Sequence, residues 1–259
     1  MKTKLIIGIC TIICISAAAV NGQEYKIQLP NSSESKLFLK NFPDDLPVTG
    51  YNGTEIIITA TNGDFTPPER SKGLRPVYPG GDDNSGMGLN VDKDGNNIQV
   101  TCIVPITRHP EYQVKVPENI SVKIQSGCEK SSNITVENVK GEIDIQNCHD
   151  ITLKNIAGPL VLSTISGDIE AGFAPGRISK PVSVNSVAGE IDITIPAQTS
   201  ASLEISTIAG TFYSNFDFDQ TKDGLKKIGG NNISYELNGG GPKFSIATVS
   251  GNIYLRKGN

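Results

Sequence analysis

The chain has 259 residues, 23 basic against 27 acidic, and a formal net charge of −4. That balance argues against nucleic acid or an anionic membrane surface as the main partner. The length allows one large domain or two small ones. The absence of tryptophan, an aromatic content of 6% and an abundance of Ile, Val, Thr, Gly, Asn and Ser point to an all-β chain.

Residues 1–22 read as a secretory signal peptide. Lys2 and Lys4 supply a positive start, residues 5–15 a short apolar run and residues 17–22 a small, polar cleavage region ending at Gly22. The run is short for a membrane span. Cys10 and Cys14 each follow an isoleucine, whereas lipid attachment needs a small residue there. No later run approaches membrane length. The mature chain is therefore expected to be exported, to the periplasm, outer surface or medium, with no transmembrane segment after cleavage.

Beyond the leader, residues 23–125 form an N-terminal β region and residues 126–259 a strand-repeat array continuous with it. First strands are expected at 24–29 and 37–42, then a hairpin or corner over 48–60 around Tyr51-Asn52-Gly53. Residues 62–87 are rich in proline and glycine and read as a loop longer than compact domains usually carry. Loops on rigid scaffolds concentrate binding residues. The candidate ligand-binding residues are therefore Arg75, Tyr78, Asp82, Asp83 and Asn84, because Tyr and Arg are common interface anchors. A hairpin follows over 89–104, turning at Asp94-Gly95-Asn96. Residues 114–124 lead into the array, and 219–227 read as a loop or a single turn.

The array repeats one pattern around Gly141, Gly158, Gly167, Gly189, Gly210 and Gly251. Apolar residues recur seven, five and two positions before each glycine and two after it, as in Val182, Val184, Val187 and Ile191 around Gly189. The third position before it is polar: Asn138, Asn155, Thr164, Ser186, Thr207 and Thr248. Alternation on both sides is the period of a half-buried strand. The glycine sits where the alternation slips, which suits a bend needing positive φ. Successive glycines are 17, 9, 22, 21 and 41 residues apart. The segment 233–241 reads as a degenerate unit filling the last gap, and 251–257 as a charged, solvent-facing cap. A period near 20 residues predicts a short β-solenoid of stacked rungs, since no single unit can bury its own apolar face. A two-sheet β-sandwich is the alternative.

The (S/T/N)-(V/I)-x-G-(D/E)-I core, together with residues 37–60, 73–96 and 251–257, resembles a bacterial family of candidate adhesins, secreted β-strand-repeat proteins of unknown function. The resemblance covers nearly the whole mature chain. It implies an exported, adhesin-like protein. Only Gly167-Asp168 keeps the family's Gly-Asp pair, and the other repeats carry Glu, Pro, Thr or Asn after the glycine.

Catalytic and metal motifs are not evident. Asp92-Lys93-Asp94-Gly95-Asn96 is read as a hairpin turn, because a calcium loop would lack its final bidentate acid. The acids Glu142/Asp144, Asp168/Glu170 and Glu190/Asp192 flank repeat glycines. They would form an outward carboxylate ladder able to hold Ca²⁺ or serve glycoside chemistry, or simply a solvated face. Of the mature cysteines Cys102, Cys128 and Cys148, the last two lie one near-period apart, and stacked rungs could join them as a disulfide. His109 and His149 stand outside any metal or nucleophile motif. The expectation is a non-enzymatic envelope or surface protein with no cofactor, metal or catalytic residue. Its partner would be a cell-surface or envelope glycan or protein. The alternatives are a carbohydrate-active lyase or hydrolase on a solenoid and a purely structural envelope protein.

Overall fold

The computed structural model of the protein describes residues 23–63, 65–66, 68–105, 107–130, 132–218, 226–227 and 232–258. The expected signal peptide lies outside them, as does most of the turn expected at 219–227. Strands are numbered in chain order. One sheet contains β1 (Gln23–Gln28), β3 (Leu46–Tyr51), β4 (Glu55–Ala60), β7 (Tyr112–Pro117), β9 (Ile134–Glu137), β11 (Ile151–Ile156), β13 (Ile169–Phe173), β15 (Ile191–Pro196), β17 (Phe212–Ser214) and β21 (Ile253–Gly258). The other contains β2 (Lys36–Lys40), β5 (Leu89–Asp94), β6 (Asn97–Cys102), β8 (Ser121–Gln125), β10 (Ile143–Asn147), β12 (Leu160–Thr164), β14 (Val182–Ala188), β16 (Ala201–Ala209), β18 (Lys226–Lys227), β19 (Asn232–Leu237) and β20 (Lys243–Ser250).

From β9 to β15 the chain alternates between the sheets, and each strand from β10 on pairs in parallel with the strand two before it. This is a flattened β-solenoid with one strand of each sheet per rung. The register stacks like on like. Ile134, Ile151, Ile169, Ile191 and Ile253 align in the first sheet, and Val122, Ile143, Leu160, Val182 and Phe244 in the second. All ten are buried in one core that also takes in Leu37, Val48, Ile58 and Val100 from the N-terminal region. Each such side chain contributes about 1.5–3 kcal/mol by leaving water.

The uneven glycine spacing follows from having two corners per turn. Gly141 and Gly158 lie where the chain passes from the first sheet to the second. Gly167, Gly189, Gly210 and Gly251 lie where it passes back. The spacing of nine is a half-turn. The structure also changes the reason for glycine. Of the six, only Gly251 has positive φ, at 150°. The common cause is close stacking of the corner backbones. A Cβ on Gly158, Gly189, Gly251 or Gly210 would lie 2.5, 2.6, 2.7 or 2.6 Å from the carbonyl carbon of the neighbouring rung's glycine.

The polar position three before the glycine does two different jobs. At the first kind of corner, Asn138 and Asn155 adopt φ of 60° and 55°, and Asn155 Nδ2 donates to Asn138 Oδ1 at 2.6 Å. At the second kind the hydroxyl is buried. Thr248 Oγ1 donates to Gly189 O at 3.1 Å, Thr207 Oγ1 to Gly251 O at 3.1 Å and Ser186 Oγ to Gly167 O at 3.3 Å. These hydroxyls satisfy corner carbonyls that the ladder leaves over. The apolar position two before the glycine splits the same way. Val139 and Ile156 are buried, while Ile165, Val187, Val249 and Ile208 are 52, 51, 46 and 73% exposed.

Two topological expectations are corrected and a third is narrowed. Residues 233–241 are no parallel rung, because β19 runs antiparallel to β16. The final segment does not cap the array. Instead β20 lies between β14 and β16, and β21 between β15 and β17. Every rung offers the same apolar register, so local sequence does not specify the stacking order. Of the hairpin or corner expected over 48–60, the hairpin is excluded, because β7 lies between β3 and β4.

Candidate functional site

The long loop connects β4 to β5 at the N-terminal end of the stack. Its acidic segment is held by its own backbone. Asp83 Oδ1 accepts from Ser85 N at 3.1 Å, Ser85 Oγ at 3.0 Å and Gly86 N at 2.9 Å, while Oδ2 accepts from Gly88 N at 2.9 Å. Asn84 pairs twice with the Val91 backbone, its Oδ1 accepting from N and its Nδ2 donating to O, both at 2.8 Å. The bonds to the Asp83 carboxylate are charge-assisted and strong, and those of Asn84 tie the loop to β5, so these two candidates hold the loop in shape with their polar atoms committed to it. Tyr78 forms an isolated bridge with Gly81, and Asn90 Nδ2 donates to Asp82 O at 2.9 Å. Arg75 and Asp82 are exposed and Tyr78 half-buried. Leu74 and Val77, at 72% and 92% exposure, flank Arg75. The loop therefore presents Leu74, Arg75, Val77 and Tyr78 together, an apolar, cationic and aromatic mixture common at interfaces.

At the foot of the loop lies a cavity of ≈ 570 Å³ lined by residues that include Phe65, Val104, Arg108, His109 and Pro110. A second cleft of ≈ 390 Å³ is lined by Asp44, Asp45, Thr61, Glu111 and Tyr112 among others. His109 on the first faces Asp44 on the second, Nδ1 to Oδ2, at 3.5 Å. That is too long for a good hydrogen bond, and the buried Asp44 Oδ2 has no hydrogen-bond partner among the described residues. The other acids have structural partners. Asp45 Oδ1 accepts from Asn133 N at 3.2 Å, and Glu111 Oε2 from Thr61 Oγ1 at 3.3 Å. None of the five loop candidates lines either cavity. Phe65, Arg108 and His109 meet only because β7 brings the segment after β6 back beside β4. The sole hint in the sequence is His109 itself.

The buried groups nearby are chemically quiet. Tyr112 is buried and donates through its hydroxyl to Met87 O at 2.6 Å. Burial, and then Cys102 beside it, pushes the phenol far above its ordinary value. Burial likewise raises the Cys102 thiol. A thiol held neutral in this way is a poor nucleophile. Cys128 and Cys148 form a disulfide with Cα atoms 5.2 Å apart, joining the corners after β8 and β10.

The acidic series does not form one ladder. Asp144 lies in the second sheet and pairs with Lys123 Nζ at 2.7 Å, whereas Glu170 and Asp192 are neighbours in the first. Asp168 of the series, like Asp150 before it, caps the next rung. Asp168 N donates to Asp150 Oδ1 at 2.9 Å, and Glu190 N to Asp168 Oδ1 at 2.7 Å. No group of three His, Cys, Asp or Glu side chains is placed to hold a metal ion among the described residues. Among the same residues, no helix is long and apolar enough to cross a membrane.

No curated protein matches the sequence significantly. Among solved structures, the chain is similar to a candidate cell adhesion protein from Clostridium sporogenes ATCC 15579, at 12% identity and a TM-score of 0.46 over 92% of this chain and 100% of that one. It is also similar to a candidate adhesin from Bacteroides fragilis NCTC 9343, at 12% identity and a TM-score of 0.36 over 90% and 95% of the two chains. The family profile of Toastrack DUF4097 matches residues 88–256, from the β5–β6 hairpin through the last parallel strand, and the chain belongs to that family.

Proposed function

We propose that the protein is an exported, non-enzymatic, adhesin-like surface protein that binds an envelope polysaccharide or protein through the loop end of a rigid β-repeat scaffold. The observation that carries this reading is the construction of the loop. Asp83 and Asn84 lock its base, while Leu74, Arg75 and Val77 are exposed and Tyr78 half-buried on the same short stretch. A preordered loop loses little entropy on binding, which favours recognition over induced fit. The resemblance of the repeat core to secreted β-strand-repeat proteins supports the exported, adhesin-like part.

The test is an envelope-glycan and surface-protein array probed with residues 23–259, with release of reducing ends scored in the same wells. Retention without cleavage, lost in the Arg75→Ala/Tyr78→Ala double variant, is the expected result. A second reading, a carbohydrate-active lyase or hydrolase, draws on Asp44, Asp45 and Glu111 around one cleft. Release of reducing ends that is abolished by Glu111→Gln would favour it and sink the non-enzymatic reading. Silence in both channels would leave a structural envelope role.

A further inference from the structure

The outward face of the first sheet carries one row that runs the length of the array. Pro47, Thr135, Thr152, Glu170, Asp192, Tyr254 and Tyr213 stand in register on successive strands. The row is small or acidic until its last two members, which are aromatic. Their rings stack, with centroids 5.3 Å apart and planes within 13°. Strand β17 ends the sheet among the described residues, and Tyr213 upon it is 50% exposed.

The groups around the rings hold one another. Tyr254 Oη donates to Glu190 Oε1 at 3.2 Å, and Asn252 Nδ2 donates to the same oxygen at 3.0 Å. Arg256 grips Asp192 through Nε and Nη2 at 2.7–2.9 Å, and its guanidinium lies 5.4 Å from the Tyr254 ring centroid.

A cross-strand aromatic pair alone would simply pack the sheet, but three features go further. Edge strands are ordinarily blunted by charge or proline, whereas this one offers a half-exposed ring. The surrounding polar groups are fixed before any ligand arrives, which lowers the entropy cost of binding. Asn252 Nδ2 spends its two hydrogens on Glu190 Oε1 and Tyr254 Oη, so the site offers a flat π-face with carboxylate acceptors, which matches a pyranose with its apolar C–H face and hydroxyls around its rim. Glu190 and Asp192 outweigh Arg256 in charge, which selects against acidic sugars. We propose that the Tyr213–Tyr254 pair is a stacking platform for a neutral pyranose unit of a glycan. The site is separate from the loop end and does not depend on the role given to that loop.

The test is calorimetric titration of residues 23–259 with cellohexaose, mannohexaose, xylohexaose and N-acetylchitohexaose. Saturable binding of at least one is expected. It should weaken by about tenfold or more in Tyr213→Ala and by no more than about threefold in Tyr213→Phe, in line with the loss of one central anchor. Should the alanine variant fail to fold, Tyr213→Thr removes the ring and keeps a strand-forming residue. Affinity unchanged without the ring, or no binding of any of the four, overturns the platform. The titration reads Tyr213 on β17, whereas the array reads Arg75 and Tyr78 in the loop between β4 and β5. An array result that defeats the loop end therefore leaves the platform standing, and the reverse also holds.

Discussion

Gly189→Ala tests the account of the corners most directly. The added Cβ would sit 2.6 Å from the Gly167 carbonyl carbon, closer still to its oxygen, and 3.2 Å from Asp168 Oδ1. Ordinary contact needs about 3.5 Å, so the corner must open by about 1 Å against a rung spacing of about 4.8 Å. Opening it strains the bonds anchored there: Gly189 N to Ser250 O at 3.0 Å, Glu190 N to Asp168 Oδ1 at 2.7 Å and Thr248 Oγ1 to Gly189 O at 3.1 Å. Overpacking costs about 1–3 kcal/mol, and each weakened hydrogen bond about 1 kcal/mol. A loss of about 4–6 kcal/mol is expected. For a chain of this size that lowers Tm by about 8–24 °C.

Gly172→Ala is the control. It lies within β13 without positive φ, and its Cβ would meet only Leu153 O, at 3.7 Å. It should be neutral or slightly stabilising, by up to about 1 kcal/mol. Thermal and urea unfolding of the two variants decides the matter. If Gly189→Ala loses no more stability than Gly172→Ala, close corner stacking is not why the repeat requires glycine.

Asp83→Ala removes the acceptor of four hydrogen bonds and should open the loop locally. Tryptic cleavage at Arg70 and Lys72 should quicken by about tenfold with little change in Tm, and equal cleavage rates would refute the anchoring role. Reducing Cys128–Cys148, which closes a 20-residue separation, should cost about 3 kcal/mol, read as a lower urea midpoint in the Cys128→Ser/Cys148→Ser variant. Cys102 and Tyr112 are held protonated in the fold, above ordinary values of 9.0 and 10.0. The unfolded chain releases these protons first as pH rises, so their contribution is intact below about pH 9 and declines above it. Tyr112→Phe should flatten the fall in Tm above pH 10, and an unchanged slope would contradict the assignment.

The core was legible because alternation is local. The apolar positions seven and five before each glycine, and two after it, are inward on any strand with this period, as Val182, Val184 and Ile191 show. The position two before the glycine was only half legible. Val139 and Val187 look alike in sequence, yet one is buried and the other exposed, because they stand at opposite corners of the turn. The loop was recognisable from its prolines and glycines, but composition does not tell a binding acid from an anchoring one. Asp83 turns inward because the amides of Gly86 and Gly88 converge on it.

The sequence by itself determined that this chain stacks short strands around glycine corners, since both signals act over a few residues. Tertiary structure alone decided which rungs are neighbours. The insertion of β20 and β21 between earlier rungs puts Tyr254 beside Tyr213 and Asp192, and the return of β7 beside β4 sets His109 against Asp44. In a stack of near-identical rungs every order satisfies the same apolar register, so the choice rests on the ends, corners and loops, whose contacts span tens of residues.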